Sequence, residues 1–431
     1  MSMVRAERPR FGWYGDDFTG ATDTLATWAE RGYRALLFLR APTAAQLAAA
    51  GPLDAIGLAG ATRAMSPAAA KTELDKAGRL FAALEVELLH YKCCSTFDSA
   101  PDVGSIGIAV QTLRRYFPNA LLPIIGGQPN LGRYCLFGHL FAAAGTGGVV
   151  HRIDRHPTMS VHPVTPMGEA DLRQHLAAQG LQRVAMLDYR GYQGVETSAL
   201  LDDCLAEKPD AVLFDVAAEA DLAVIGRLIA DRIAAGPMLA VGPSSVARAL
   251  VAASDMRPTD TPAPDISSRR DGAVLALVGS LSPVTRAQVE AALDYQRIDV
   301  DPVRLLTEFG YLQSLRRQAE ARLATDNVML VTDAAQAPPA QMERVAAATG
   351  MLLSAVLSET QVSRVVVAGG DTSSHAVAAL DIWGLSYRAA MVPGAPLCRV
   401  HSDDPRLDGL DIILKGGQMG PPSFFADAAR R

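Results

Sequence analysis

Two adjacent carboxylates, Asp16 and Asp17, stand in the run Gly15-Asp16-Asp17-Phe18-Thr19-Gly20-Ala21-Thr22-Asp23 near the N-terminus. Either acid could accept the proton of a substrate hydroxyl, a task that suits a positioned carboxylate. Farther along, Arg63 and Lys92 could hold a substrate carboxylate, with the planar arginine the better bidentate partner. Ser95 and Thr96, together with the acids, suit a polyhydroxylated ligand. Each group also has a plainer reading, the acids as part of a capped βα turn and the bases as solvated surface charges.

The second half carries three glycine turns of phosphate-binding character. In Val278-Gly279-Ser280-Leu281-Ser282-Pro283-Val284-Thr285, Ser282 is placed to cap a helix and Pro283 fits its first turn, so that free backbone N–H groups could face an anion. In Gly369-Gly370-Asp371-Thr372-Ser373-Ser374, paired glycines clear the approach path and hydroxyls supply donors ahead of a helix expected from Ala376. The third is Lys415-Gly416-Gly417-Gln418-Met419-Gly420. Any one of them reads equally as a left-handed turn position. Three after strands in one half of the chain point to a nucleotide phosphate site. Neither G-x-G-x-x-G nor G-x-x-x-x-G-K-[ST] occurs, which argues against a standard dinucleotide fold or a Walker NTPase.

Elements must deliver these groups, and the hydrophobic pattern says which. Phe11 to Tyr14 reads as a strand, and Ala21, Leu25, Trp28 and Ala29 form one face of a following helix, with Thr19 as its expected cap and Gly20 admitting a ligand to the backbone. Apolar runs then alternate with helical patterns: Ala35 to Leu39, Ala55 to Ala59, Val86 to Tyr91 and Leu121 to Ile125, with helices at Pro67 to Leu84 and Ile106 to Phe117. Residues 126–165, rich in Gly, Pro and His, break the rhythm as a long excursion of functional or lid character. Alternation resumes at Val184 to Leu187, Ala211 to Val216 and Met238 to Val241. A proline-rich polar stretch at 254–270 reads as a linker between domains 1–253 and 271–431. Beyond it come Ala273 to Val278, Val328 to Val331, Val365 to Ala368, Ala390 to Val392 and Ile412 to Leu414. The expected fold is α/β: two domains, each a mainly parallel sheet flanked by helices, with a cleft between them.

Composition narrows the function. With 431 residues the chain is long enough for two or three domains, and 49% hydrophobic with 20% charged residues excludes a disordered chain. A net charge of −6 and the absence of basic runs interleaved with aromatics argue against nucleic acid as a partner. Five cysteines without C-x-x-C spacing suggest reduced thiols and a cytoplasmic protein, and no apolar run has the length of a membrane span. His151, His156 and His162 show no metal-binding spacing, so zinc is not expected and metal ligands are left unassigned. Trp13, Trp28 and Trp383 lie on apolar faces and read as core.

Taken in order, the motifs resemble those of the four-carbon acid sugar kinases. The family's DDFTGA-type opening corresponds to Asp16 to Ala21, its GG-[ED]-TS strand end to Gly369 to Ser373, and its K-x-G-x-x-G turn to Lys415 to Gly420. Its S-x-S-P-V-T-x-x-Q run is matched by Ser280 to Gln288, and its PGVP-like turn by Pro393 to Pro396. The resemblance implies an acid-sugar-binding N-terminal domain and an ATP-binding C-terminal domain, with the γ-phosphoryl passing to a terminal hydroxyl and Mg²⁺ bridging phosphate oxygens. By motif, Ser280, Gly369, Gly370, Asp371, Thr372, Ser373, Gly416 and Gly417 would contact ATP, and Asp16, Asp17 and Thr19 would sit at the sugar. The chain departs from the family's K-x-D-S-T-x-R-G-N-like run at Lys92-Cys93-Cys94-Ser95-Thr96-Phe97-Asp98-Ser99, which lacks the basic and amide groups after the Ser-Thr pair. With Tyr14-Gly15 before the acids, this is more similar to a branch acting on 3-oxo-isoapionate than to the 3-oxo-tetronate or threonate/erythronate kinases.

The expectation is an ATP-dependent kinase of a small acid sugar, with a homodimer compatible with it. Its rivals are an NAD(P)-dependent acid-sugar oxidoreductase, which would need the missing dinucleotide fingerprint, and a non-catalytic acid-sugar sensor, against which the acid pair argues.

Overall fold

A computed structural model describes residues 8–145, 147–162, 164–194, 196–254, 271–279, 282–332, 338 and 341–430, apart from the side chain at 371. From residue 255 onward the expected linker lies outside the described residues, as does Ser280. Contacts divide the chain into two compact units, Met1–Leu36 with Ala41–Thr261 and Leu37–Arg40 with Pro262–Arg431.

The strands of the first unit are β1 (Phe11–Gly15), β2 (Ala35–Phe38), whose last two residues belong to the second unit, β3 (Ala55–Ala59), β4 (Leu88–Lys92), β5 (Pro123–Ile125), β6 (Arg133–Leu136), β7 (His139–Ala143), β8 (Val150–Arg152), β9 (Val184–Leu187), β10 (Ala211–Phe214) and β11 (Met238–Gly242). Seven of them pair in parallel in the order β3-β1-β4-β11-β5-β10-β9. β1, β3, β4 and β11 are buried throughout, which is why they read as continuous apolar runs rather than alternating ones. The helix Phe18–Ala29 buries Ala21, Leu25 and Trp28. Trp28 stacks on Phe11 at 4.8 Å between ring centroids, and Trp13 Nε1 donates to the Ala21 carbonyl at 3.2 Å. Burying each such side chain contributes about 1.5–3 kcal/mol, so β1 and its helix form one packed piece and the turn joining them is held at both ends.

The excursion at 126–165 is not irregular. β6, β7 and β8 pair as a three-stranded antiparallel sheet, and the β6–β7 turn has Phe137 and Gly138 at φ 53° and 79°. Two positive φ values are the type I′ hairpin geometry, which normally announces itself as Asn-Gly. Here the backbone N–H groups of Phe137 and Gly138 donate at 2.6 and 2.9 Å to the carboxylate of Asp215, a residue with no exposed surface, so a distant acid stabilises a turn that local propensity does not.

The second unit has β12 (Val274–Val278), β13 (Tyr295–Val300), β14 (Asn327–Thr332), β15 (Arg364–Ala368), β16 (Gly384–Val392), β17 (Ala395–His401) and β18 (Asp411–Lys415). β13-β14-β12-β15-β18 is parallel, while β17, β16 and then Leu37–Phe38 continue it antiparallel. The short strand expected at Ala390 to Val392 is the end of the nine-residue β16, closed by a Pro393-Gly394 turn with Gly394 at φ 81°. The helix expected from Ala376 begins at Gly370, because Gly369, at φ 130°, already releases the chain into helical geometry. Arg364 and Arg388 both reach the buried carboxylate of Asp411, at 3.1 and 2.6 Å. Arg364 and Asp411 are register partners where β15 and β18 begin, so this ion triad lies at the opposite strand ends from the glycine turns. Trp13, Trp28 and Trp383 are all buried. No described helix is long and apolar enough to cross a membrane.

Candidate active site

Register assembles the acidic centre. Gly15 is level with Ala59 on β3 and Lys92 on β4, and Lys92 is level with Gly242 on β11, so the chain leaves adjacent parallel strands at one height. Open α/β sheets bind ligands at these carboxyl ends. Asp16 and Asp17 follow β1, the short turn Thr62–Ala64 follows β3, and Lys92 closes β4. Backbone bonds lock the three segments together: Asp16 N–H donates to the Lys92 carbonyl at 2.9 Å and Arg63 N–H to the Asp16 carbonyl at 3.2 Å.

Arg63 carries both acids. Its Nε and Nη2 donate to the two oxygens of Asp16 at 3.2 and 3.0 Å, and Nη1 lies 3.0 Å from Asp17 Oδ2. Asp17, rather than Thr19, caps the helix. Its backbone is extended at φ −143°, and Oδ1 accepts from Gly20 N–H at 2.8 Å, while the Thr19 hydroxyl, already inside the first turn, donates to Asp17 Oδ2 at 2.7 Å. The reach from cap to third helical residue is that of an Asx cap. Lys92 is buried, donates to the Cys93 carbonyl at 2.7 Å, and packs over Gly20, where an added Cβ would come within 2.3 Å of its ammonium.

The environment separates the two carboxylates. Burial pushes the Asp16 carboxyl above the usual range, against the pull of Arg63 and with the help of neighbouring Asp17. Burial acts in the same sense on Asp17, but Arg63, Lys92, the Thr19 hydroxyl and the Gly20 N–H outweigh it and hold that carboxyl below the usual range. Oδ2 of Asp17 already has two donors, whereas each oxygen of Asp16 has one.

Thr96 donates to Asp98 at 2.6 Å and lies 3.0 Å from the Cys94 sulfur, and Ser95 is buried in the same run. The run's peptide is held by Ser99, His175 and Gln179, with His175 Nε2 at 3.1 Å from the Phe97 carbonyl, which keeps Phe97 at φ 54°. Three further polar residues near the centre escape sequence reading. Asp23 Oδ2 accepts from Gln128 Nε2 at 3.0 Å and from the Ser244 hydroxyl, partners 105 and 221 residues away. Asp23 had a signal in its place in the opening run and Gln128 in its place in the 126–165 excursion, whereas Ser244 had none.

The glycine turns of the second unit are also brought together by register. Val278 is level with Ala368 and Ala368 with Lys415, so all three turns leave neighbouring parallel strands at one height. Gly279 N–H donates to the Ala368 carbonyl at 3.0 Å and Gly369 N–H to that of Lys415 at 2.8 Å. Gly279 faces Thr372, whose Oγ1 would lie 2.3 Å from an added Cβ. Ser373 is buried and turns its hydroxyl back to the Gly369 carbonyl at 2.6 Å, whereas a Cβ on Gly370 would meet open space. Ser282 caps the helix Pro283–Ala291 as its position suggested.

Lys415 is fully buried beneath the last turn. It donates to Thr285 Oγ1 at 3.0 Å and to the Gly416 and Gly417 carbonyls at 2.9 and 3.5 Å. In trans peptides N–H points opposite to C=O. The N–H groups of Gly417 and Gln418 therefore face away from the lysine. Burial lowers the Lys415 ammonium to about 7, and no carboxylate pairs with it among the described residues.

Comparison with known proteins agrees with this division. Residues 11–250 match a sugar-binding N-terminal domain and residues 275–425 a nucleotide-binding C-terminal domain. A 3-oxo-isoapionate kinase of Paraburkholderia graminis is 39% identical, covering 96% of this chain and 92% of its own. A 3-oxo-tetronate kinase of Methylobacterium radiotolerans is 31% identical, covering 97% and 98%. A crystal structure from Salmonella typhimurium LT2 superposes with a TM-score of 0.78 at 25% identity, covering 98% of this chain and 99% of that one. With both of its domains matched in order, the chain belongs to the four-carbon acid sugar kinase family.

Proposed function

We propose that this protein transfers the γ-phosphoryl group of ATP to a terminal hydroxyl of a short acid sugar in its 3-oxo form, with a branched acid of the 3-oxo-isoapionate type as first candidate. The observation that carries the reading is the buried Asp16–Asp17 pair on one guanidinium at the strand ends of the sugar-binding unit. The preference for the branched acid rests on the higher identity to the isoapionate enzyme than to the tetronate enzyme.

Phosphoryl transfer asks for positioning and charge stabilisation more than covalent chemistry. Asp16 is the base: it has spare acceptor capacity and a raised pKa, which brings it nearer the range in which general bases work. The hydroxyl proton passes to Asp16, the oxygen bonds to the γ-phosphorus, and the bond from that phosphorus to the β–γ bridging oxygen breaks to release ADP. Asp17 stays ionised and holds Arg63 and the helix start in place. In the second unit the N–H groups of Gly417 and Gln418 and the open face of Gly370 receive the phosphates, and Lys415 supports them from below. Mg²⁺ would enter with the nucleotide and neutralise phosphate charge. No cluster of three or more metal-ligating side chains occurs among the described residues, which fits an ion held mainly by phosphates and water.

The test is coupled ADP release across a panel of four- and five-carbon acid sugars and their 3-oxo forms. Acid-dependent ADP production, fastest with the branched 3-oxo acid, is the expected result. Absence of ADP with every acid refutes the kinase assignment, and faster turnover of 3-oxo-tetronate refutes the substrate preference. Nicotinamide absorbance changes with the same acids would favour the oxidoreductase instead.

A further inference from the structure

We propose that Arg133 receives the carboxylate of the substrate acid, an inference that rests on the reading of the first unit as the acid-sugar site. Arg133 opens β6, at the start of the antiparallel excursion. Its backbone bridges Gln128, donating at 3.1 Å and accepting at 2.9 Å, and the Gln128 side chain holds Asp23 on the helix that Asp17 caps. The excursion is therefore tied to the acidic centre through the residue that Arg133 pairs with.

The guanidinium itself is undersatisfied. Its Nη1 donates to the Leu131 carbonyl, its Nε is buried with no acceptor, and no carboxylate lies within ion-pair distance of it among the described residues. Burial pulls its pKa below the ordinary arginine value; the carboxylate of Asp98, in the run after Lys92, acts on it from beyond ion-pair distance, and the neighbouring Cys94 thiol, which burial keeps protonated, adds no charge. Asp98 uses one oxygen on the Thr96 hydroxyl. A half-buried arginine fork with an unmet Nε and no carboxylate in ion-pair distance is costly unless a ligand supplies a closer partner.

The other cations at the centre are committed. Arg63 spends Nε, Nη1 and Nη2 on Asp16 and Asp17, and the charge of Lys92 is held by the same two acids. Two carboxylates against two cations leave no net positive charge for an anionic substrate. Residues 95–99 add no cation, only the carboxylate of Asp98. Arg133, in the field of the Cys94–Asp98 run where the substrate's hydroxyls would meet Ser95 and Thr96, is the remaining fork. Its planar geometry matches a carboxylate in bidentate fashion.

The experiment compares wild type, R133Q and R133K with the acid that gives the fastest ADP release, or if none does, the acid that binds most tightly in calorimetric titration. The carboxamide of the same acid serves as its neutral counterpart. R133Q should weaken KM and Kd for the acid about 10- to 100-fold, the range for losing charged hydrogen bonds. KM for ATP should stay within twofold, and carboxamide binding should be unaffected. R133K, keeping charge without the fork, should fall between. Unchanged acid affinity in R133Q, an equal loss for acid and carboxamide, or no carboxylate binding by wild type overturns the proposal. Because titration needs no turnover, a missing ADP signal with an R133Q-sensitive Kd would sink the kinase reading and leave this one standing.

Discussion

Replacing Gly20 by Ala tests the acidic centre through its packing. A glycine in a helical first turn is normally improved by Ala, by up to about 1 kcal/mol. Here the new Cβ would stand 2.3 Å from the Lys92 ammonium, 3.1 Å from Lys92 Cε and 2.6 Å from Asp17 Oδ1. Ordinary contact requires about 3.5 Å, so the ammonium must retreat by more than about 1 Å. It is buried and bonded to the Cys93 carbonyl, and Asp17 is fixed by Gly20 N–H, Thr19 and Arg63, so both charges move off their partners. Disturbing the cap costs about 1 kcal/mol, which offsets the helix gain. Moving a buried ammonium and carboxylate off their partners adds to that cost, so G20A should melt below wild type. A misplacement of 1 Å at a reacting centre costs about 100-fold in rate. Coupled ADP release should show kcat reduced by that order with KM for ATP within twofold, because the nucleotide turns lie in the other unit. A G20A enzyme with wild-type melting and kcat within threefold would refute the geometry on which this reasoning rests.

The acids should separate by function: D16N is expected to lower kcat about 10²- to 10⁴-fold with ATP affinity kept, and wild-type turnover would remove Asp16 as base. D17A should in addition lower Tm through loss of the helix cap, which D17N, still able to accept from Gly20 N–H, should largely keep; equal melting of D17A and D17N would count against that role. Since burial raises Asp16, kcat/KM should fall on acidification through a limb above the ordinary carboxylate value of about 4, and a limb at or below that value contradicts the assignment. Lys415 titrates near 7 when folded against 10.5 ordinarily, so between those values the unfolded chain binds the extra proton and stability from this group rises with pH. Urea midpoints at pH 7 and 9.5 should show that rise in wild type and lose it in K415M; the same slope in both would exclude Lys415 as its source. G279A, whose Cβ would meet Thr372 Oγ1 at 2.3 Å, should raise KM for ATP about 10-fold, with KM for the acid sugar unmoved; an unchanged KM for ATP would remove the Gly279 turn from the nucleotide site.

Much of the architecture was legible because buried parallel strands are apolar throughout and helices repeat on one face. β3 and β9 fall where the pattern puts them, and β1 and β4 within a few residues. What escaped was stabilised from afar. The β6–β7 hairpin turns on a Phe at positive φ that only the Asp215 carboxylate, 78 residues on, makes tolerable. Thr19 looked like the cap because Thr is a good one, but Asp17 lies one step outside the helix with extended backbone, and cap choice depends on where the strand actually ends.

By itself the sequence determined the acid pair, the three glycine turns, their places after strands and the family they resemble. Tertiary structure alone decided how those groups share charge. Arg63 and Lys92 together balance Asp16 and Asp17 because parallel register sets the ends of β1, β3 and β4 at one height. Gly20 is glycine because a lysine on a neighbouring strand occupies the space of its Cβ. Arg133 reaches the Cys94–Asp98 run on a hairpin strand whose turn is held by Asp215, an acid far off in sequence, and there it has no carboxylate in ion-pair distance among the described residues. Propensity and periodicity are local, whereas electrostatic balance is a sum over whatever the fold brings within a few ångströms.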